Sequence, residues 1–366
     1  MIKKAIFPSS YIQGSNILNR LDQIDDFLNK KIFFICSNSG YKNAILPNLS
    51  KWDKNIISKC ELFKGKSTWE EINRLLSIAK DFKPDFIAGV GGGKCIDTAR
   101  VAAFKLGVPF LSVPTIAATD APTASACVIH DDNGVMVDYF NTKNPAFVIV
   151  DSQIISQAPT RFLVSGMGDA LSTWFEAETC YSHNIKNVAG EYNTRAAMAI
   201  AKECRDTILE FGYAAKVAND NKIVTPALEH IIEANILLSG VGFESCGISS
   251  AHGIQCIFHH TKAGEEKYHG ELVAFSLLAS FFLENKPIDM IDEIYKFNFK
   301  IGLPITLNDL GLENISYKEL EEATLHEMSN LSTLLNRIPF KVSVKELIDS
   351  IIMADSYGKL LKNCYT

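Results

Sequence analysis

The sequence lacks the features that mark several large classes of protein. Its nine cysteines are odd in number, widely spread along 366 residues, and include no CxxC pair. This pattern argues against a disulfide framework or a zinc knuckle and favours reduced thiols in a cytoplasmic protein. No apolar run approaches the ~18 or more residues of a membrane-spanning helix. Pro8 interrupts the first apolar run too early for a signal peptide. We therefore expect a soluble chain without a membrane partner.

The chain also lacks a concentration of positive charge. Charged residues make up 21% of it, the net charge is −6, and the lysines and arginines are scattered. Without a basic stripe, nucleic acid is not an expected partner. The length suffices for two domains whose cores need no disulfide support. Because the sequence contains no repeat, low-complexity tract or long linker, the two domains are expected to pack directly and to leave a cleft.

The organisation of the chain changes near residue 158. The first 150 residues alternate runs rich in β-branched and aromatic residues with helical stretches, which is typical of a parallel sheet covered by helices. Past Pro159 the strand signals stop and helical periodicity continues. We therefore predict an α/β domain over residues 1–157 and an all-helical domain over residues 158–366. The predicted strands are Ile32–Cys36, Asn55–Phe63, Asp85–Val90, Phe110–Val113 and Phe147–Val150.

Two further patterns predict a hairpin and a terminal helix. The runs Cys127–His130 and Val135–Phe140 flank an Asn-Gly step at Asn133, which is a strong signal for a hairpin turn. They predict an antiparallel hairpin attached to the main sheet. Apolar residues from Val344 to Leu360 recur at i, i+3 and i+4, and this spacing predicts the last helix.

A glycine turn connects one predicted strand to a helix. Asp85–Val90 runs into three consecutive glycines, Lys94 and the helical stretch Cys95–Leu106. Glycine lets the backbone approach a phosphate closely, and the amides and dipole of a helix start stabilise the negative charge. The loop is neither a GxGxxG nor a Walker A sequence, and a plain turn explains three glycines as well. The charged residues Asp97 and Arg100 favour a ligand site.

Three polar residues of the second half are candidate metal ligands. Asp169 stands at what reads as a helix start, where an N-terminal cap explains a carboxylate adequately. His252 lies among small residues and His269 precedes a strongly apolar helix, and a histidine in either place is usually structural. However, an Asp/His/His set with one open position is typical of catalytic zinc, where a substrate hydroxyl would bind with a lowered pKa. Spacing leaves open whether the three converge.

The remaining histidines are interpreted as structural. The adjacent His259 and His260 have polar neighbours and predict a loop at a helix end. The isolated histidines form no ligand pattern, and they are His130, His183, His230 and His326.

Six segments taken together are more informative than any single spacing. They are Gly91–Arg100, Val113–Pro122, Ala158–Ala177, Thr225–Glu229, Leu238–Ser245 and Tyr268–Glu271. In this order they resemble the glycerol dehydrogenase branch of the iron-type alcohol dehydrogenase and dehydroquinate synthase superfamily. The resemblance extends from about Phe7 to Leu361.

The resemblance implies a dehydroquinate synthase-like fold, with a Rossmann-like dinucleotide-binding domain, an all-helical domain and catalysis between them. It implies zinc held by Asp169, His252 and His269, a substrate contact from Asp120, and often an octameric assembly. Relatives that use iron add a histidine where this chain has Thr173, so the resemblance favours zinc. The positions implied to bind NAD are Gly92, Gly93, Lys94, Asp97, Thr115 and Thr119.

The sequence departs from the family within the implied cofactor pocket. Ser37 stands where the family has an aspartate suited to hydrogen-bonding the adenosine ribose. Without that carboxylate nothing repels a 2′-phosphate, so NADP is an alternative to NAD. Ala124, Ala126 and His130 replace a serine, a leucine and a tyrosine of the cofactor-binding segment, and Leu334–Pro339 also differs from the family.

The activity implied by the resemblance is oxidation of glycerol or another small vicinal diol to a hydroxyketone such as dihydroxyacetone, with hydride transfer to NAD. Asp120 would orient the second hydroxyl of the diol. One alternative is a dehydroquinate synthase-like lyase-cyclase acting on a phosphorylated substrate. Such an enzyme needs a cationic pocket, to which Lys186 and Arg195 are the candidate contributors. The other alternative is a non-catalytic paralogue, which the departures in the cofactor pocket suggest.

Overall fold

In a computed structural model, the chain forms two compact units. The structure describes residues 1–52, 54–131, 136–331 and 333–365, without the side chains of residues 136 and 365. The α/β unit contains Ile6–Leu163 and Val217–Gly240, and the helical unit contains Met1–Ala5, Val164–Lys216 and Val241–Thr366. The domain boundary between residues 157 and 158, which the sequence analysis gave, stays a prediction.

The described strands all belong to the α/β unit. They are β1 (Tyr11–Gly14), β2 (Lys30–Cys36), β3 (Ile56–Leu62), β4 (Phe86–Gly91), β5 (Phe110–Pro114), β6 (Ala126–His130), β7 (Met136–Asn141) and β8 (Phe147–Asp151). Six of them form a parallel sheet in the order β1-β8-β5-β4-β2-β3. The five strands predicted for this sheet are confirmed, and β1 was not predicted.

The hairpin is also confirmed, since β6 and β7 pair antiparallel in a separate two-stranded sheet. Its predicted turn at Asn133 lies outside the described residues.

The helices include the predicted C-terminal one. In chain order they are α1 (Asn38–Gly40), α2 (Leu49–Trp52), α3 (Trp69–Phe82), α4 (Gly93–Leu106), α5 (Ser152–Gln157), α6 (Thr160–Ser182), α7 (Arg195–Asp220), α8 (Pro226–Glu233), α9 (Ser239–Cys246), α10 (Ser250–Phe258), α11 (Lys262–Glu266), α12 (His269–Leu283), α13 (Ile288–Ile301), α14 (Tyr317–Ser329) and α15 (Val344–Tyr365). Short 3₁₀ or π segments are Ile17–Gln23, Asp25–Phe27, Tyr41–Ile45, Ala234–Leu238, Leu307–Leu310 and Leu334–Arg337.

Both faces of the parallel sheet are buried. Along β2, Ile32 and Phe34 pack into one apolar core, whereas Phe33 and Ile35 pack into another. A parallel sheet covered on both faces requires strands that are apolar almost throughout. This explains why β2 reads as a continuous apolar run.

The order of the strands reverses between β2 and β4. From β2 the chain passes to β3 at the sheet edge and then returns to β4 on the other side of β2. In doubly wound sheets, ligands bind outside the carboxyl ends of the strands at such a switch point. Ser37 follows β2 and Gly92 follows β4, and the Ser37 amide donates to the Val90 carbonyl at 2.9 Å. The topology therefore places the glycine loop at the expected position for a dinucleotide.

The helical unit is organised around α12. This helix is apolar on all sides, and its residues from Leu272 to Phe281 are buried, as expected for a central core helix. It packs against α10 and α15. Apart from a bridge between Lys3 and Tyr192, no β structure is present in the described part of this unit, which confirms its predicted helical character.

Within the described residues, no single helix is long and apolar enough to cross a membrane. One bent pair, Pro226–Cys246 with Ser250–Phe258, meets the length and composition criteria jointly.

Candidate active site

Two glycines bring α6 and α12 into backbone contact. A Cβ added to Gly270 would lie 1.8 Å from the Ser165 carbonyl oxygen, and one added to Gly168 would lie 2.4 Å from the Gly270 carbonyl oxygen. Any larger residue at either position would hold the helices apart. Because Asp169 follows Gly168 and His269 precedes Gly270, this contact sets the two polar side chains beside each other.

Asp169 does not cap a helix, so the capping interpretation is wrong. It lies well inside α6, which begins at Thr160 and runs unbroken to Ser182. The two glycines around Met167 suggested a helix start, but both lie inside the helix, and Gly168 is a packing position against α12. The buried carboxylate therefore needs another explanation.

Asp169, His252 and His269 converge, and their ligand atoms all lie within 4.8 Å of one another. The Nε2 atoms of His252 and His269 are 3.5 and 3.4 Å from Asp169 Oδ1. Asp169 and His252 are buried, whereas the His269 side chain is 38% exposed. The cluster is therefore open on one side only.

The electrostatics of this cluster favour a cation. Burial raises the pKa of Asp169, but the charge of His269 and hydrogen bonds from both histidines outweigh burial and hold that pKa below its usual range. Burial lowers the pKa of His252, yet Glu176 and Asp169 outweigh it and raise that pKa well above its ordinary value. A positive charge beside Asp169 is thus stabilised, whether it is a proton or a metal ion.

The hydrogen bonds of the cluster also fit a metal. Asp169 Oδ2 has no hydrogen-bond partner among the described residues although it is buried. His252 Nδ1 is bonded to Glu176 Oε2 at 2.6 Å. When Nδ1 donates, Nε2 is the ring nitrogen that can offer a lone pair to a metal ion beside Asp169. The ring nitrogens of His252 and His269 near Asp169 Oδ1, together with the orphaned Oδ2, form a suitable donor set for a divalent cation.

Glu176 was missed in the sequence. It lies on α6, two helical turns after Asp169, and it is buried. The spacing of Asp169, Thr173 and Glu176, at i, i+4 and i+7, was a signal that could have found it, because three polar residues on one face of a buried helix need partners.

The glycine loop is built from close contacts in the α/β unit. A Cβ on Gly91 would lie 2.9 Å from Ser37 Oγ and 3.1 Å from Cys95 Cβ, so only glycine fits there. Gly92 is the N-cap of α4. Gly93 and Lys94 open that helix, where the first amides have no acceptor within the helix. The loop therefore offers the free amides that an anion needs.

The other residues implied to bind cofactor surround this loop. The Thr115 amide donates to the Gly91 carbonyl at 3.1 Å. A Cβ on Gly93 would be 3.7 Å from Thr119 Oγ1, so Thr119 lies beside the helix start. The side chain of Lys94 is exposed. These placements agree with a phosphate site, and the assignment of each residue stays a prediction.

Asp97 faces the interior of the α/β unit. Its Oδ2 accepts from the Val128 amide at 3.2 Å, and its Oδ1 is 3.6 Å from Arg100 Nη1. Burial raises the pKa of Asp97 to about 6 against the opposing charge of Arg100. These contacts give Asp97 a structural explanation, because they attach β6 to α4.

Arg100 is buried and holds the segment that follows β5. Its guanidinium donates to the carbonyls of Ala121 and Ala126, the second at 2.9 Å. Asp120 immediately precedes this segment, and its Oδ2 accepts from Ser239 Oγ at 3.1 Å. Asp120 therefore lies in the α/β unit, held by its neighbours along the chain and by the start of α9.

The departures in the implied cofactor-binding segment lie just before β6, at its first residue and at its last. Ala124 and Ala126 are buried. His130 is partly buried at the end of the strand, and burial together with the charge of Lys94 lowers its pKa. His130 is therefore favoured in its neutral form.

The other histidines do not form a metal cluster. Among the described residues, Asp169, His252 and His269 form the one group of three metal-binding side chains. His260 Nε2 bonds Glu327 at 2.7 Å, and its ring lies 4.2 Å from that of His326. Both line a cavity of about 730 Å³ that includes none of the three candidate ligands. His259 follows the last residue of α10, which confirms the predicted helix end.

Comparison with known proteins identifies a related family and related enzymes. The family described as iron-containing alcohol dehydrogenase matches residues 8–152. The chain is 41% identical to glycerol dehydrogenase of Thermotoga maritima, over 99% of this chain and 100% of that one. It is 38% identical to glycerol dehydrogenase of Citrobacter freundii, over 98% and 99% of the two chains.

A solved structure extends the likeness to the fold. The crystal structure of a probable glycerol dehydrogenase from Sinorhizobium meliloti aligns with a TM-score of 0.90 at 34% identity, over 98% of this chain and 99% of that one. The fold and the site thus define an alcohol oxidoreductase. The chain belongs to the iron-containing alcohol dehydrogenase family.

Proposed function

We propose that this protein oxidises glycerol, or a similar small vicinal diol, to a hydroxyketone and transfers the hydride to NAD. The observation that carries the proposal is the convergence of Asp169, His252 and His269 in a chain that is similar over nearly its whole length to glycerol dehydrogenases. The donor set suits a divalent metal, and the glycine loop at the switch point suits a dinucleotide.

One group of residues is proposed to bind the cofactor, and another is proposed to bind and activate the alcohol. The amides of Gly93 and Lys94 at the start of α4 would bind the diphosphate. Asp169, His252 and His269 would hold a metal, which supplies the Lewis acidity that lowers the pKa of an alcohol. Asp120 would accept a hydrogen bond from the second hydroxyl and so select diols over simple alcohols.

Zinc is the metal we propose, because the surroundings of Asp169 favour three protein ligands. Thr173 lies one turn after Asp169 and is buried. A Cβ added to Gly242 would be 2.4 Å from Thr173 Cγ2, so the two residues are packed closely. A threonine at this position supplies no imidazole as a fourth ligand, and three protein ligands with an open position are typical of catalytic zinc.

The lyase alternative has little support. Lys186 is exposed and lies 3.8 Å from Glu191 in an ion pair, and Arg195 is exposed at the start of α7. Neither residue contributes to a buried cationic pocket of the kind that a phosphorylated substrate requires.

The test is reduction of NAD and NADP by purified protein with glycerol or 1,2-propanediol, followed by absorbance of the reduced nicotinamide. We expect reduction that disappears after chelation and returns with zinc. Acetol and dihydroxyacetone should support the reverse reaction. If protein that contains stoichiometric zinc produced no reduced nicotinamide with any pairing of diol and cofactor, the proposed activity would be overturned.

Ser37 provides a prediction about cofactor choice. Ser37→Asp places a carboxylate where it repels a 2′-phosphate and accepts from a ribose hydroxyl. We expect the ratio of kcat/KM for NADP to that for NAD to fall at least about tenfold, equivalent to roughly 1.4 kcal/mol. The fold should persist, because Ser37 accepts from the Gly40 amide as an N-cap and aspartate caps equally well. Asn43→Asp adds the same charge at an exposed position of the same unit and should leave the ratio unchanged.

We also propose a cytoplasmic homo-oligomer, with an octamer as the expected assembly. This part rests on the family resemblance. Light scattering coupled to size-exclusion chromatography measures the mass directly, and a mass of one chain, 40.5 kDa, would contradict it.

A further inference from the structure

We propose that Glu176 is a positioning residue, which fixes the ring of His252 so that its Nε2 atom is available to a metal, and which thereby sets the affinity of the site. The inference rests on the proposed metal-binding function of Asp169, His252 and His269. It adds a residue that contacts no other candidate ligand and that carries no role in the activity proposed above.

Glu176 makes three hydrogen bonds to the start of a single helix. Its Oε2 atom bonds His252 Nδ1 at 2.6 Å. Its Oε1 atom accepts from the amides of Ser249 at 2.8 Å and of His252 at 3.0 Å. Since Glu176 is only 3% exposed, water competes little for these bonds, and the carboxylate is held in one orientation.

The three hydrogen bonds of Glu176 serve two tasks, one for each carboxylate oxygen. The Oε1 atom satisfies amides at the start of α10, where the N-cap residue Ser249 makes no capping bond with its own side chain. The Oε2 atom accepts the ring proton of His252 and so keeps that proton on Nδ1. Nε2, 3.5 Å from Asp169 Oδ1, is then the ring atom whose lone pair is available to a metal. Carboxylate partners of this kind orient metal-binding histidines and increase their basicity.

Glutamine at this position distinguishes the two tasks. In Glu176→Gln the amide oxygen can still accept from both backbone amides and preserve the helix start. The NH2 group then faces His252 Nδ1 and can only donate. The ring proton is therefore favoured on Nε2, which removes the lone pair that a metal needs. Because side-chain size and helix propensity change very little, the substitution changes the position of the His252 ring proton and leaves the packing intact.

Glu284 supplies the matched control. It is also a largely buried carboxylate near the start of α10, accepting from Ser250 Oγ at 2.6 Å and from Thr179 Oγ1 at 2.7 Å. It contacts none of the three candidate ligands. Glu284→Gln therefore perturbs the same helix start without changing the ring of His252.

The experiment measures Zn²⁺ affinity by competition with a chromogenic chelator, and Tm of the metal-free protein, for the wild type and both glutamine variants. We expect Glu176→Gln to weaken Zn²⁺ binding by about 10-fold to 100-fold with a nearly unchanged Tm. Glu284→Gln should bind Zn²⁺ as the wild type does. NAD affinity should be the same in all three proteins.

Two results would overturn the inference in different ways. If Glu176→Gln lowers Tm but binds Zn²⁺ within about twofold of the wild type, Glu176 is a helix cap and does not position His252. If the wild type itself binds no Zn²⁺, the proposed metal site fails and the role of Glu176 fails with it. The first result leaves the proposed oxidation intact, so the two failures are distinguishable.

Discussion

Replacing His269 with alanine is expected to abolish both metal binding and turnover while the protein stays folded. The His269 side chain is 38% exposed and forms an ion pair with Asp169, so its loss opens little buried space. A bound metal would retain two protein ligands in place of three. Because Lewis-acid activation of an alcohol contributes several kcal/mol, we expect kcat to fall at least about a thousandfold.

His252→Ala should lower the activity as much as His269→Ala does, but it should lower the stability of the fold more. His252 is buried, and its removal leaves the buried Asp169 carboxylate with His269 alone and Glu176 Oε2 without its ring partner. Removing one partner of a buried charged pair typically costs about 3–5 kcal/mol. His269→Ala is thus the cleaner test of chemistry, and His252→Ala tests the coupling between site and fold.

These two variants are checked by metal analysis, circular dichroism and NAD reduction with glycerol. His183→Ala is the control, since His183 is exposed and bonds the Thr179 carbonyl of the preceding helix α6. It should retain metal and activity. A fully active His252→Ala protein would show that the cluster is not the catalytic centre.

The second large effect is expected from Gly270→Ala, which should destabilise the helical unit and move the metal ligands apart. In an exposed helix, alanine for glycine stabilises by about 1 kcal/mol. At Gly270 the added Cβ would be 1.8 Å from the Ser165 carbonyl oxygen, and backbone cannot rotate aside as a side chain can. We expect a net loss of about 3 kcal/mol, since α12 must move away from α6.

That movement has a specific consequence for the site. His269 is on α12 and Asp169 is on α6, so separating the helices separates the ligands. We therefore expect Gly270→Ala to lose Zn²⁺ affinity together with stability, as measured by urea unfolding and chelator competition. Gly168→Ala should act in the same direction, because its Cβ meets the Gly270 carbonyl oxygen at 2.4 Å.

Gly14→Ala serves as the control for glycine removal. Gly14 ends β1, and a Cβ there meets no atom within 4 Å. Its substitution should change stability by no more than about 0.5 kcal/mol. If Gly270→Ala were equally mild and retained full Zn²⁺ affinity, the backbone contact would not be what positions the ligands.

The parts of the site that the sequence predicted are those with local signals. The glycine run after an apolar strand is visible because strand, turn and helix start are consecutive in the chain. His269 was predicted to stand just before the opening of an apolar helix, and in the structure α12 begins at His269 itself. The three candidate ligands were selected as an Asp/His/His set and were then implied by the family resemblance, whereas the spacing of more than eighty residues between Asp169 and His252 carried no information about convergence.

The parts that were missed depend on partners distant in the sequence. Asp169 was interpreted as a cap because glycines usually interrupt helices, whereas here Gly168 permits contact with α12. Glu176 was overlooked because its three hydrogen bonds go to residues 249 and 252. Strand β1 has only four residues, and its pairing partner β8 is more than a hundred residues away.

The sequence by itself determined the alternation of strands and helices before residue 158, the helical character afterwards and the family, because hydrophobic periodicity and motifs are local properties. Only the tertiary structure decided that 217–240 joins the α/β unit, that Asp169 lies inside a helix, and that Glu176 holds His252. Burial, close backbone packing and the direction of a hydrogen bond are properties of pairs of segments, and a single linear pattern does not encode which segments meet.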